Sequence, residues 1–194
     1  MDPHDSLRTL ALIVIDVQQG FDDSSFWGER NNPTCESHIA TLIAHWRDRS
    51  WPIVYVQHDS TNPASPLHPD SPGHAFKDVV VGTPDLLIHK QVNSCFYGTP
   101  DLHAWLTAEG ISAVVICGIT TNHCCETTAR MAGNLGYTTY FAIDATHTFG
   151  RTGLDGTDIP AQTLSDITAA NLHGEFATVV TTADLVSSSH FSPA

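Results

Sequence analysis

The sequence predicts an α/β fold: a three-layer sandwich with a mainly parallel sheet covered by helices on both faces, formed by one domain spanning residues 1–194. Two observations carry this. Short apolar runs alternate with stretches of helical periodicity along the whole chain, the order expected of β-α-β units joined by right-handed crossovers. The first run, Leu10-Ala11-Leu12-Ile13-Val14-Ile15, is apolar at every position rather than at alternate ones, as a strand buried on both faces of a parallel sheet must be. A chain of 194 residues is also long enough to bury a substantial core without disulfide or metal staples.

The elements follow in order. The first strand ends at Asp16, and the polar segment from Gln18 to Pro33 carries Phe21, Phe26 and Trp27, which suits a loop folded over a pocket. Ile39, Leu42, Ile43 and Trp46 recur at helical spacing, and Pro52 opens a second strand, Ile53 to Val56. The stretch His58 to Phe76 is rich in Pro, Ser and His and lacks periodicity, and its length marks it as functional. Leu86-Leu87-Ile88 is a short strand ending near Lys90. Leu102, Trp105 and Leu106 then mark a helix that stops at Gly110. Val114 to Ile116 is the next strand, followed by a turn and a helix whose buried side is Thr128, Ala129, Ala132 and Leu135. Thr138 to Ile143 is a strand, Asp144 to Thr157 a glycine-containing loop, Ile159 to Leu172 a helix and Phe176 to Val180 a last strand.

Composition excludes several function classes. The formal net charge of -13 argues against a nucleic-acid surface, and no apolar run approaches the length of a membrane span. Five cysteines cannot all pair within one chain, and their spacing resembles neither a zinc ribbon nor a disulfide scaffold. Together with a start, Met1-Asp2-Pro3-His4-Asp5, that lacks the pattern of a signal peptide, this predicts a soluble cytoplasmic protein.

In folds of this kind ligands bind beyond the carboxyl ends of the strands, where strand order reverses. Asp16, Lys90 and Cys124 each follow shortly after an apolar strand, so all three can reach one crevice. Thr121 and Asn122 are good helix N-caps, which would put Cys124 in a first helical turn. There, unpaired N–H groups and the helix dipole favour a thiolate and can hold an oxyanion. Asp16 would take the thiol proton, and Lys90 would keep Asp16 ionised. Each residue also has a plainer reading: Cys124 and Cys125 as small buried residues, Asp16 as a strand-end acceptor, Lys90 as a solvated charge on an edge strand.

The segments Val14-Ile15-Asp16-Val17-Gln18, His89 to Phe96 and Gly118 to Arg130 resemble, in order, the three signature segments of the isochorismatase-like cysteine hydrolases. The resemblance implies a Rossmann-like sheet of six parallel strands, a catalytic triad of Asp16, Lys90 and Cys124, and a cis peptide between Ile119 and Thr120. It also implies an oxyanion hole formed by the N–H groups of Thr120 and Cys124. By the family's register the nucleophile is Cys124, while Cys125 packs. Since neighbouring helical positions diverge by about 100°, only one of the two can face the crevice. The implied activity is amidohydrolysis: cleavage of a small-molecule C–N amide bond through a thioester. An isochorismatase-type enol-ether hydrolase, which needs Asp16 but no nucleophilic thiol, and a non-catalytic scaffold are the alternatives.

Nicotinamidase-like members carry Asp-x-His after the second strand, whereas this chain reads Gln57-His58-Asp59-Ser60, which speaks against nicotinamide as substrate. His58, His68 and His74 with Asp59 and Asp70 match no metal-site spacing, so neither a metal nor a cofactor is expected. Phe21, Phe26, Trp27, His58, Asn62, Tyr97, His123 and Phe149 are the candidate substrate-binding residues, and Leu172 to Phe176 faces either the substrate or a neighbouring subunit. The expected partners are a small amide substrate and further copies of the chain, as a homodimer or homotetramer, with no nucleic acid and no membrane.

Overall fold

The computed structural model describes residues 10–187, so Met1-Asp2-Pro3-His4-Asp5 lies outside the described residues. The chain runs β1 (Leu10–Ile15), α1 (Ser24–Trp27), α2 (Cys35–Asp48), β2 (Ile53–His58), β3 (Leu86–Lys90), α3 (Leu102–Ala108), β4 (Ala113–Ile119), α4 (Glu126–Asn134), β5 (Thr138–His147), β6 (Arg151–Thr152), β7 (Asp158–Ile159), α5 (Ala161–Leu172), β8 (Thr178–Val180) and α6 (Thr182–Ser187). Six strands form one sheet in the order β3-β2-β1-β4-β5-β8, and every pairing in it is parallel. The chain builds outward from β1 through β2 to β3, then returns to add β4 on the other side of β1. Strand order therefore reverses between β1 and β4, the place beyond whose strand ends sheets of this kind bind ligands.

β1 shows why its sequence lacks alternation. Leu10, Leu12 and Val14 pack into one apolar cluster with Ile39, Leu42 and Trp46 of α2 and Leu185 of α6. Ala11, Ile13 and Ile15 pack into a second with Leu102 and Leu106 of α3, Ala129 and Ala132 of α4, and Leu172 of α5. Successive strand residues point to opposite faces, so a strand with helices on both sides must be apolar throughout.

Several boundaries differ from the expectation, for identifiable reasons. Leu135 lies beyond the end of α4 and is exposed rather than buried. The segment read as a loop from Asp144 continues β5 as far as His147, after a break in its register with β4 between Ile116 and Gly118. β6 and β7 then form a small hairpin. A residue before proline is driven out of the α region, so Ile159 stays extended in β7 and α5 begins only at Ala161, after Pro160. The last strand begins at Thr178 rather than Phe176.

Gly118 is demanded by the sheet itself. Its φ is +127°, and a Cβ there would lie 2.1 Å from the Ile15 carbonyl oxygen, so a side chain would push β4 off β1 directly before the crevice.

Candidate active site

Three strands, β1, β3 and β4, each deliver one group at or beyond their carboxyl ends. Asp16 follows β1, takes a left-handed backbone conformation (φ 52°), and its amide donates to the Val56 carbonyl at 2.9 Å. Lys90 ends β3 in register with His58 at the end of β2. Cys124 lies in a π-turn, residues 121–125, between β4 and α4. Asp16, Lys90 and Cys124 are 0%, 2% and 8% exposed, so a carboxylate and an ammonium are buried beside a thiol.

The Lys90 ammonium is the hub. It donates to Asp16 Oδ2 at 2.6 Å, to His58 Nδ1 at 3.2 Å and to Cys124 Sγ at 3.4 Å. An ammonium has three N–H donors and no acceptor, so these three contacts use all of them. Burial alone would lower the lysine pKa, but the negative charge of Asp16 outweighs it and holds the pKa above its ordinary value. Asp16 Oδ1 is buried and has no hydrogen-bond partner.

The surroundings of Cys124 act against the thiolate that a helix start favours. Burial and the Asp16 charge push the Cys124 thiol well above its ordinary pKa, against the opposing effect of Lys90. Cys124 sits in a wide π-turn that precedes the α-helix, rather than in the first turn of the helix itself. Thr121 and Asn122 do not cap it. The Thr121 hydroxyl donates to Thr146 Oγ1 at 2.9 Å, and Asn122 Oδ1 accepts from the Thr148 hydroxyl, so both tie the turn to the far end of β5. The Ile119–Thr120 peptide bond is cis, and Thr120 Oγ1 is buried without a partner. Cys125 is fully buried among apolar side chains of the sheet, while the sulfur of Cys124 meets Lys90.

Two residues that sequence reasoning did not single out for the site belong to it. The Cys124 thiol donates to Oδ1 of the exposed Asn93 at 3.7 Å, so a residue that reaches solvent lies beside the sulfur. Gln18 is fully buried. Its Oε1 accepts from the His58 amide at 2.9 Å, and its Nε2 donates to the carbonyls of His58 at 3.2 Å and His74 at 2.8 Å. Both lie within segments that resemble the family's signatures, so their position was available as a signal. Their contacts depend on loops that no local pattern joins.

The other expected pocket residues divide. His58 reaches the hub. His123 is half-buried at the rim, with Nδ1 3.4 Å from the Arg151 guanidinium. Phe21, Trp27 and Phe149 pack ring against ring, with centroids 4.9 to 6.1 Å apart, and Phe21 and Phe149 are buried in the core cluster against α2. Phe26 and Tyr97 are exposed, and Asn62 is an exposed turn residue whose Oδ1 accepts from the Ala64 amide. In the segment ending at Phe176, His173 Nδ1 accepts from the Val179 amide, and the Phe176 ring lies under the Arg130 guanidinium.

The histidines considered for a metal do not converge. His74 Nε2 lies 2.8 Å from Asp59 Oδ1, His68 pairs with the exposed Asp70, and His58 turns to Lys90. Among the described residues, Asp16, His58 and Cys124 do have ligand-type atoms within 4.8 Å of one another. The Lys90 ammonium already contacts all three, so the set does not fit a metal cation as well.

A sequence model of the Isochorismatase domain matches residues 10–184. The chain belongs to the isochorismatase family. It is 45% identical over 177 residues to the isochorismatase family protein YrdC of Bacillus subtilis, covering 91% of this chain and 94% of that one. A crystal structure of an isochorismatase-family protein from Chromobacterium violaceum superposes with a TM-score of 0.86 at 42% identity, over 92% of each chain. The ureidoacrylate amidohydrolase RutB of Methylorubrum extorquens is 38% identical over 180 residues, covering 73% of this chain and 71% of that one. The fold and the hydrolase class follow from this membership.

Proposed function

We propose that this isochorismatase-family hydrolase is an amidohydrolase that cleaves a C–N bond of a small molecule, with Cys124 as nucleophile, Asp16 as proton carrier and Lys90 as the charge that orients them. The observation that carries this reading is the single ammonium holding a carboxylate oxygen at 2.6 Å and a sulfur at 3.4 Å, buried at the switch point of the sheet. The name of the relative RutB supports the amide bond as the target.

Burial and the Asp16 charge favour the neutral thiol, so in this reading the proton leaves as the sulfur attacks. Asp16 presents Oδ1 without a partner while Oδ2 is engaged by Lys90, which leaves one oxygen to accept that proton. The sulfur forms a bond to the carbonyl carbon, and the carbonyl oxygen takes the negative charge. The amide N–H groups of Thr120 and Cys124 serve as the oxyanion hole in this reading. Asp16 then gives its proton to the nitrogen, the C–N bond breaks, and an amine or ammonia departs. Water adds to the thioester with Asp16 again as base, which releases the carboxylic acid and restores the thiol.

Hydrolysis of a panel of aliphatic, aromatic and cationic amides, with Cys124→Ala as control, tests this. Release of amine by the wild-type protein and none by the variant is the expected result. Enol-ether cleavage, which needs no thiol, predicts that the variant remains active.

A further inference from the structure

His58 is held more firmly than a pocket wall requires. Its backbone amide and carbonyl are both bonded to the buried side chain of Gln18, at 2.9 and 3.2 Å. The same Gln18 amide, with that of Gln57, fixes the His74 carbonyl at 2.8 Å, so the loop beyond β2 is fastened to the strand end that carries His58. The ring then meets Lys90 through Nδ1 at 3.2 Å. An ammonium can only donate, so Nδ1 must be the acceptor and carry no proton. In a neutral imidazole the proton then resides on Nε2. No protein group among the described residues hydrogen-bonds Nε2, and the residue is half-buried, so this nitrogen is neither sealed nor satisfied by the fold.

We propose that Lys90 locks His58 in the Nε2–H tautomer and that this N–H binds a hydrogen-bond acceptor on the substrate, so that the site selects amides carrying a second carbonyl or carboxylate oxygen beyond the scissile bond. The inference deepens the amidohydrolase reading and rests on it for the word substrate, while the tautomer follows from the geometry alone. Burial lowers the His58 pKa, Asp16 opposes that and Lys90 reinforces it, which agrees with a neutral ring. Asp59 and His74 act on the ring from the loop side in opposite directions.

The lock and the selection separate experimentally. In place of histidine, asparagine offers an oxygen near the Nδ1 position and nothing at Nε2. Glutamine offers an N–H near Nε2 and nothing at Nδ1.

Long-range proton–nitrogen NMR of the full chain, with the His58 signals assigned by their loss in His58→Asn, should show a neutral Nε2–H ring between about pH 6 and about pH 8. A ring protonated on Nδ1 in that range overturns the lock. Binding is read in Cys124→Ala protein, which separates it from turnover, with succinamide, succinamate and butyramide as probes of matched chain length. Succinamide and succinamate should bind about tenfold more tightly than butyramide, the worth of one added hydrogen bond, and should shift the His58 Nε2–H signal. His58→Asn should abolish the preference and His58→Gln should keep it, provided that both melt within a few degrees of the parent. Equal binding of the three probes, or a preference that survives in His58→Asn, overturns the selection. Loss of amide turnover in the panel would instead strike the amidohydrolase reading and leave the tautomer result standing.

Discussion

Two buried lysines in this molecule are each held by carboxylates at nearly the same distances, and only one of them is at the candidate site. Lys90 lies 2.6 Å from Asp16 at the switch point and touches His58 and the Cys124 sulfur. Lys77 lies 2.6 Å from Asp22 and 2.7 Å from Glu36, and Glu36 also takes a bidentate contact from Arg30 at 2.6 and 2.7 Å. The second cluster ties α2 to the loops beside it. A buried ion pair is thus no mark of a reacting site. What distinguishes Lys90 is a place beyond the strand ends and a soft nucleophile within reach of the same ammonium. The supply of counter-charges differs too: Glu36 keeps Arg30 if Lys77 is lost, whereas no other cation contacts Asp16 among the described residues.

The largest expected effect is therefore at Lys90. Lys90→Met should lower stability by about 3–5 kcal/mol, the cost of stranding a buried charge, and should abolish amide turnover in whatever protein remains folded. Urea unfolding and the amide panel measure the two losses, and retained turnover would erase the distinction drawn between the lysines. Lys77→Met should cost less, about 1–3 kcal/mol, because the exposed Asp22 is solvated and Glu36 keeps Arg30. Turnover per folded molecule should be unchanged.

A third test concerns acid. His147 is fully buried between Phe149 and the Lys77 cluster, and both ring nitrogens lack partners. Burial, reinforced by Arg30 and Lys77 and opposed by Glu36, pushes its pKa down to about 3. The unfolded ring takes a proton near the ordinary imidazole value of about 6.5, so below that pH the unfolded state binds more protons. Stability contributed by the neutral ring is complete above about pH 6.5 and is lost as pH falls toward about 3. Glu36, whose burial is overcome by contacts with Arg30 and Lys77 that hold its carboxyl far below the usual range, adds a loss in the same direction once pH passes below about 4.5. His147→Leu should remove the first decline and leave the second. Thermal melts across that range check it, and an unaltered slope between about pH 6.5 and about pH 4.5 would show that His147 is not its source. At neutral pH the same substitution should stabilise the chain by about 1 kcal/mol, the smallest of these effects, by deleting two unpaired buried nitrogens.

Much of this arrangement could be read from the chain because it rests on short-range signals. The unbroken apolar run of β1 announces a strand covered on both faces, and Asp16, Lys90 and Cys124 each lie at or a few residues beyond the end of a strand, so topology brings them together. What was hidden depends on contacts between distant segments. Thr121 and Asn122 look like helix caps, but their side chains bond Thr146 and Thr148 instead, and the turn that holds them is a π-turn. The thiol's raised pKa comes from burial against Asp16, which the preference of a helix start for thiolate cannot foresee. The clamp of Gln18 on His58 and His74 joins residues 40 and 56 positions apart, with no periodicity to betray it.

The central claim is that the sulfur held by Lys90 forms a covalent bond to the acyl half of an amide. Rapid acid quench of the wild-type protein with a hydrolysed amide, followed by intact-mass and peptide analysis, tests it most directly. The account predicts an acyl mass increment confined to the peptide containing Cys124 and absent from Cys124→Ala. Full turnover by Cys124→Ala, or an adduct on Cys125 in its place, would contradict it.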